Sequence, residues 1–327
     1  MSESNTGSVI LWAERWRLAS LTRDEIVRIG LVSIIVGLAF VLFHYQGNTT
    51  DIRAFGRSAI LWMVSRWSDM GIDMSHGWII PPISFALIWL RRRELQAAVK
   101  ETSKIGLAVV VFALLLHWLG AKAQQTRLSL AGLILLLWGV PFYFYGWQVA
   151  KVLIFPCSYL IFCIPMNFLD SLTFPLRLFV TISATIILNG LGIPVERSGS
   201  AIYSMGAGGF SFDVADPCSG LRSLLAMTAL TAVYAYLTQP TLVKKWILFL
   251  GSIPLAILGN MARILTVALV AQAFGQELAV GIYHDYSGFV VFAVAIMLMV
   301  AFGAMLNTDF SQVAHQWKQR LLNPISS

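Results

Sequence analysis

Charge is scarce in this chain: Asp, Glu, Lys and Arg make up 12% of its 327 residues, against 57% hydrophobic. A soluble domain of this length cannot hide so much apolar surface, which excludes that class. Cysteine is scarcer still, and three residues build no disulfide framework. Cys157 and Cys163 fall inside one apolar run and read as packing residues. Of the five histidines, His44, His117 and His315 lie far apart without ligand spacing, so neither a metal site nor a cofactor is expected. Gly-x-Ser-x-Gly, His-Glu-x-x-His and paired intramembrane aspartates are absent, which disfavours serine, zinc and aspartyl hydrolases. The Gly206–Gly209 cluster lacks a phosphate-loop pattern, and no internal repeat is evident.

What the chain does have is long apolar runs and a mean hydropathy of +0.74. Ile26–His44, Gly77–Leu90, Ile105–Leu119, Leu128–Tyr145, Val149–Phe168, Cys218–Leu237, Trp246–Phe274 and Tyr286–Leu306 read as spans. The expected fold is an all-α polytopic membrane protein of about eight transmembrane helices. A small extracytoplasmic β-hairpin region and an interfacial helix complete it. Residues 1–25 form a cytoplasmic tail, 26–306 one transmembrane catalytic domain with an extracytoplasmic insert at 170–216, and 307–327 a second cytoplasmic tail. Val9–Leu21, with Trp12, Trp16, Arg15 and Arg17, suits the inner membrane surface or a loose tail.

The net charge of +7 lies mostly in short loops and tails, as a topology signal and not a nucleic-acid footprint. Arg91-Arg92-Arg93 with Lys100 and Lys104, then Lys151, Lys244-Lys245 and finally Lys318 with Arg320, mark the cytoplasmic side. These agree if Leu172–Leu191 does not cross; Arg53, Arg57, Arg66, Lys122 and Arg127 oppose them. Partial alternation over 193–203 and 209–214, around glycine-rich turns, predicts a short hairpin or two ahead of Cys218.

Cys218 follows Asp216 and Pro217 at the head of an apolar helix. Asp216 suits the N-cap and Pro217 the first helical position, where a missing N–H costs nothing. The helix dipole and Arg222 favour thiolate over thiol. A cysteine at a helix end is also a plain apolar filler, so its company decides.

Arg263 stands roughly 25 Å into the helix that starts at Trp246, near the outer edge of the hydrocarbon layer. Asn260 shares its face, and His284 sits just before the last span, again on the outer side. An arginine inside an apolar helix needs a partner or a wet cavity, which points to function; snorkelling to headgroups is the alternative. Cys218 as nucleophile, His284 as proton carrier and Arg263 as oxyanion or thiolate partner suit acyl transfer.

These residues resemble the exosortase/archaeosortase family of membrane transpeptidases. The resemblance rests on Pro217 to Leu224, Leu258 to Ile264 and Tyr283 to Gly288, with Ser75-His76-Gly77-Trp78 and Phe155-Pro156 also familial. It covers roughly residues 70 to 300 in the order such proteins show. It implies Cys218, Arg263 and His284 as catalytic residues, and a cell-membrane location with the site facing the extracytoplasmic side. Implied partners are secreted proteins carrying a C-terminal motif, a helix and a basic tail (typically with Pro-Glu-Pro in bacteria), and a surface acceptor; membrane lipid is a further expected partner. The family usually has Glu-Ala where this chain has Asp216-Pro217, so the sorting subtype stays open. Arg222, Asn260, His76 and Asp216 are supporting or substrate-binding candidates.

Two other readings stand beside this one. In a transporter or channel, Arg222, Arg263 and Asn260 would line a polar pathway, although such pathways centre on the midplane and often on repeats. A non-catalytic assembly factor would keep the motif without the chemistry.

Overall fold

A computed structural model describes residues 22–308, apart from 49, 51, 69–73, 166–168, 206–208 and 214–220; at 169–173, 212–213, 221–223, 280, 282 and 284–285 it describes the backbone alone. Val9–Leu21 and the C-terminal tail therefore lie outside the described residues. The chain divides into two compact units, Met1–Pro165 and Met166–Ser327.

The first unit opens with α1 (Arg23–Gln46). Thr22 and Glu25 start it with a capping box, each satisfying the other's backbone N–H. Short helices α2 (Ile52–Phe55) and α3 (Ala59–Ser68) follow. A 3₁₀ turn at Ser75–Trp78 leads into α4 (Ile80–Leu90), whose prolines fall in the first turn, where no N–H is needed. Then come α5 (Arg92–Ala97), α6 (Lys104–Lys122) and α7 (Thr126–Tyr159).

Between membrane helices the hydrophobic effect supplies little attraction, and close backbone approach replaces it. The pair α6–α7 shows how: a methyl group added at Gly120 would fall 2.7 Å from Ser129 N, and one at Gly132 2.8 Å from the Ala113 carbonyl. His117 is buried in this seam with Nδ1 2.8 Å from the Ser129 hydroxyl and its ring against Phe43. Its role is packing. Cys157 and Cys163 are buried, as the sequence suggested.

Helix α7 contains a break. Gly146 sits at φ 77°, ψ −173°, a region only glycine occupies readily. The break separates the runs Leu128–Tyr145 and Val149–Phe168, which the sequence presents as two spans. Against it lies the 99–103 loop, with Ser103 N donating to the Tyr143 carbonyl at 2.9 Å.

The second unit contains α8 (Leu169–Gly190), the strands β1 (Val195–Ser198), β2 (Ala201–Ser204) and β3 (Ser211–Asp213), then α9 (Leu221–Thr238), α10 (Leu242–Phe274) and α11 (His284–Asn307). The strands form an antiparallel meander, with Ser198 opposite Ala201 across a two-residue turn. This matches the hairpin signal in the sequence. The Asn189 side chain fastens β1 to the end of α8, bonding both the N–H and the carbonyl of Val195. Val180, Ala184 and Leu188 of α8 share a core with Ile202, Phe210 and the C-terminal part of α10 from Ile264 to Ala271.

Among the described residues five stretches are long and apolar enough to cross a membrane: Arg23–Gln46, Lys104–Lys122, Thr126–Cys163, Leu242–Phe274 and Tyr286–Asn307. Ser75–Leu90, Phe174–Gly190 and Leu224–Thr238 are apolar but shorter. Against the expected eight, the difference lies in Ser75–Leu90, in Leu224–Thr238 and in the two runs joined across Gly146; Phe174–Gly190 was not counted among the eight. Large side chains stand exposed along these helices, among them Ile34, Phe85, Phe112 and Phe289. In water such a surface would aggregate; in hydrocarbon it is the outside of a multi-pass membrane protein.

Candidate active site

Three helices of the second unit converge on Arg263. Gly259, Asn260 and Arg263 lie on one face of α10, spaced by three and four residues. Opposite them α11 presents Gly288, Val291, Phe292 and Ala295, and α9 contributes Met227. Together they enclose a cavity of about 30 Å³, room for roughly one water. Its position follows from sequence: Thr241 caps α10 at Lys244, and the helix then runs unbroken to Gly275, whose φ of 92° ends it. A core that includes Met227, Leu248, Ala256, Ala295 and Met299 holds the three helices together and shares its wall with the cavity.

The Arg263 guanidinium rests on Gly288. A methyl group there would lie 3.1 Å from Nη2 and 3.2 Å from Cζ, so the glycine leaves the space that the planar group fills. The Nε atom is buried. Four residues before Gly288, on the same face and about 6 Å along the helix, stands His284, the first residue of α11. A π-helical turn at Ala279–Tyr283, kinked at Gly281, precedes it and sets which face α11 turns toward α10.

Arg263 and Asn260 therefore meet α11 at Gly288, one helical turn from the backbone of His284. Arg222 is in the first turn of α9, whose Met227 reaches the cavity. Asp216 and Cys218 lie outside the described residues. His76 belongs to the first unit, in the 3₁₀ turn Ser75–Trp78, with the Phe162 backbone as its polar neighbour. The turn is held by Gly77 packed against the Trp67 indole, whose N–H donates to the Cys163 carbonyl at 2.8 Å.

Gly288 is the residue whose role composition did not reveal. The signal was present: a glycine four residues after a candidate histidine, on a helix paired with the one that carries the arginine. Among the described residues no group of three His, Cys, Asp or Glu side chains has metal-binding geometry.

The small sheet is anchored too. Ser211 N of β3 donates to the Gln276 side chain at 3.1 Å, joining the small sheet to the turn between α10 and α11.

Comparison with known proteins supplies the family. The family described as transmembrane exosortase matches residues 67–301, most of the chain, and the protein belongs to it. No curated protein and no solved structure matched.

Proposed function

Taking that membership as the premise, we propose that this exosortase-family protein is a cysteine transpeptidase that cleaves a C-terminal sorting signal and passes the new carboxyl end to an acceptor. The observation that carries the reading is the seat of Arg263 on Gly288, one helical turn from His284. It supplies a fixed cation beside the position of a proton carrier in an apolar setting, where such a charge is costly unless used.

Cys218 is three residues from Leu221, the first described residue of α9. Bond lengths limit the separation of their Cα atoms to about 11 Å. The Cys218 thiolate attacks the scissile carbonyl, and the oxygen takes up negative charge that Arg263 offsets. His284 accepts the thiol proton and returns it to the departing amine as the C–N bond breaks, leaving a thioester. An acceptor nucleophile then displaces the cysteine. Asp216 caps the nucleophile's helix, Asn260 orients Arg263 or the substrate carbonyl, and Arg222 assists the thiolate or reads an acidic motif. His76 is a candidate for substrate contact or for a structural role.

The substrate class is a secreted protein ending in a short motif, a membrane helix and a basic tail. Its own helix would confine the scissile bond to the membrane plane at the extracytoplasmic boundary, lowering the entropy cost of encounter. The test is co-expression with such a substrate. Wild type should shorten it, and Cys218→Ala should leave the tail attached; continued cleavage by that variant would remove the proposal.

A further inference from the structure

The first unit holds a cavity of about 440 Å³, far from any catalytic candidate in sequence. At one end Glu25 and Lys100 form an ion pair at 2.8 Å, level with Tyr145 and Gln148 of α7. At the other end lie Ser84, Cys157 and Leu160. Ile29, Ile88, Leu137 and Leu153 line the space between. Val149 and Leu160 both border it, so it extends roughly 16 Å along the helix axis. Spread over that length, the volume open to water centres is about 6 Å across, so its walls stand roughly 9 Å apart, against ~10–12 Å for a helix with side chains. A transmembrane helix is too wide to enter.

Other occupants fail on chemistry. Water in a cavity needs polar partners, and apolar cavities stay dry. An extended peptide would bring N–H and C=O groups into a wall that offers them almost nothing. The Ser84 hydroxyl already donates to the Pro156 carbonyl at 2.7 Å. An empty slot would forfeit the dispersion contacts of its lining. A hydrocarbon chain needs no hydrogen bonds and is slender enough to enter. Charge identifies the rest of the ligand: besides the ion pair, Arg23, Arg28, Lys104 and Lys151 flank the mouth residues in sequence, against Asp24 and Glu101. The excess is positive and suits an anionic headgroup.

We propose that this slot binds one acyl tail of an anionic phospholipid, with its headgroup at the Glu25–Lys100 end. The tail fills the space between α1, α4 and α7 as a fixed part of the first unit.

The test uses the full chain in vesicles doped with a phosphatidylglycerol probe carrying a diazirine at the tail end. After illumination and digestion, label should concentrate at residues 84–88 and 153–160, above the exposed α6 peptide around Phe112. A phosphatidylcholine probe should label these positions roughly fivefold less for each basic residue engaged. Leu153→Trp, or the milder Leu137→Phe if the first does not fold, should lower slot labelling to the Phe112 level. Labelling no stronger in the slot than at Phe112, equal labelling by both headgroups, or full labelling of a folded, filled variant would each overturn the proposal.

Discussion

Arg263 and Gly288 fit each other: the guanidinium of one occupies the volume that any side chain on the other would take. An intramembrane arginine on a long side chain would otherwise be loose, and the glycine gives it a floor. This pairing brings together two motifs that are separated in sequence.

Gly288→Ala should therefore act on chemistry more than on folding. The added methyl, 3.1 Å from Nη2, must shift the guanidinium by a few tenths of an ångström or more. A misplacement approaching 1 Å costs about 10²-fold in rate, so substrate processing should fall by roughly 10- to 100-fold. Gly259→Ala is the control, since its methyl would meet only the Val291 side chain, at 3.2 Å, and that side chain can yield. Processing kinetics with melting curves for both variants check this; equal losses would refute the seat.

Arg263→Lys keeps the charge and loses the planar fork. If the group stabilises an oxyanion through directed N–H bonds, turnover should drop by about 10²- to 10³-fold. Membrane insertion and melting temperature should change little. Near-normal turnover would mean that a point charge suffices and that the guanidinium's shape is idle.

Gly146→Ala tests the first unit separately. At φ 77° an alanine is strained, and its methyl would lie 2.7 Å from the Glu101 carbonyl. A loss of about 1–3 kcal/mol is expected in unfolding from mild detergent. An unchanged melting curve would show that α7 can straighten through this point.

The reach of the sequence can be argued residue by residue. The helices around 26–44, 105–119, 246–274 and 286–306 were legible because a span is written in consecutive apolar residues. The meander at 195–213 was legible from alternation and glycine turns, and Arg263 from its cost in an apolar helix. The break at Gly146 was visible only as a gap between runs. The structure shows it as a backbone conformation, held against the 99–103 loop by contacts that no local pattern records.

Hydropathy was enough to establish a multi-pass helical membrane protein, and the ordered motifs to suggest the family by resemblance and to nominate Arg263, Asn260 and His284. Which face of α11 meets α10, and hence that Gly288 is the residue beneath Arg263, was decided only by packing. The π-turn ahead of His284 sets the rotation of that helix, and its consequence depends on a neighbour 25 residues away in sequence. The lipid-sized slot has the same origin. Each residue lining it looks like ordinary membrane core, and the space exists only because α1, α4 and α7 do not close on one another.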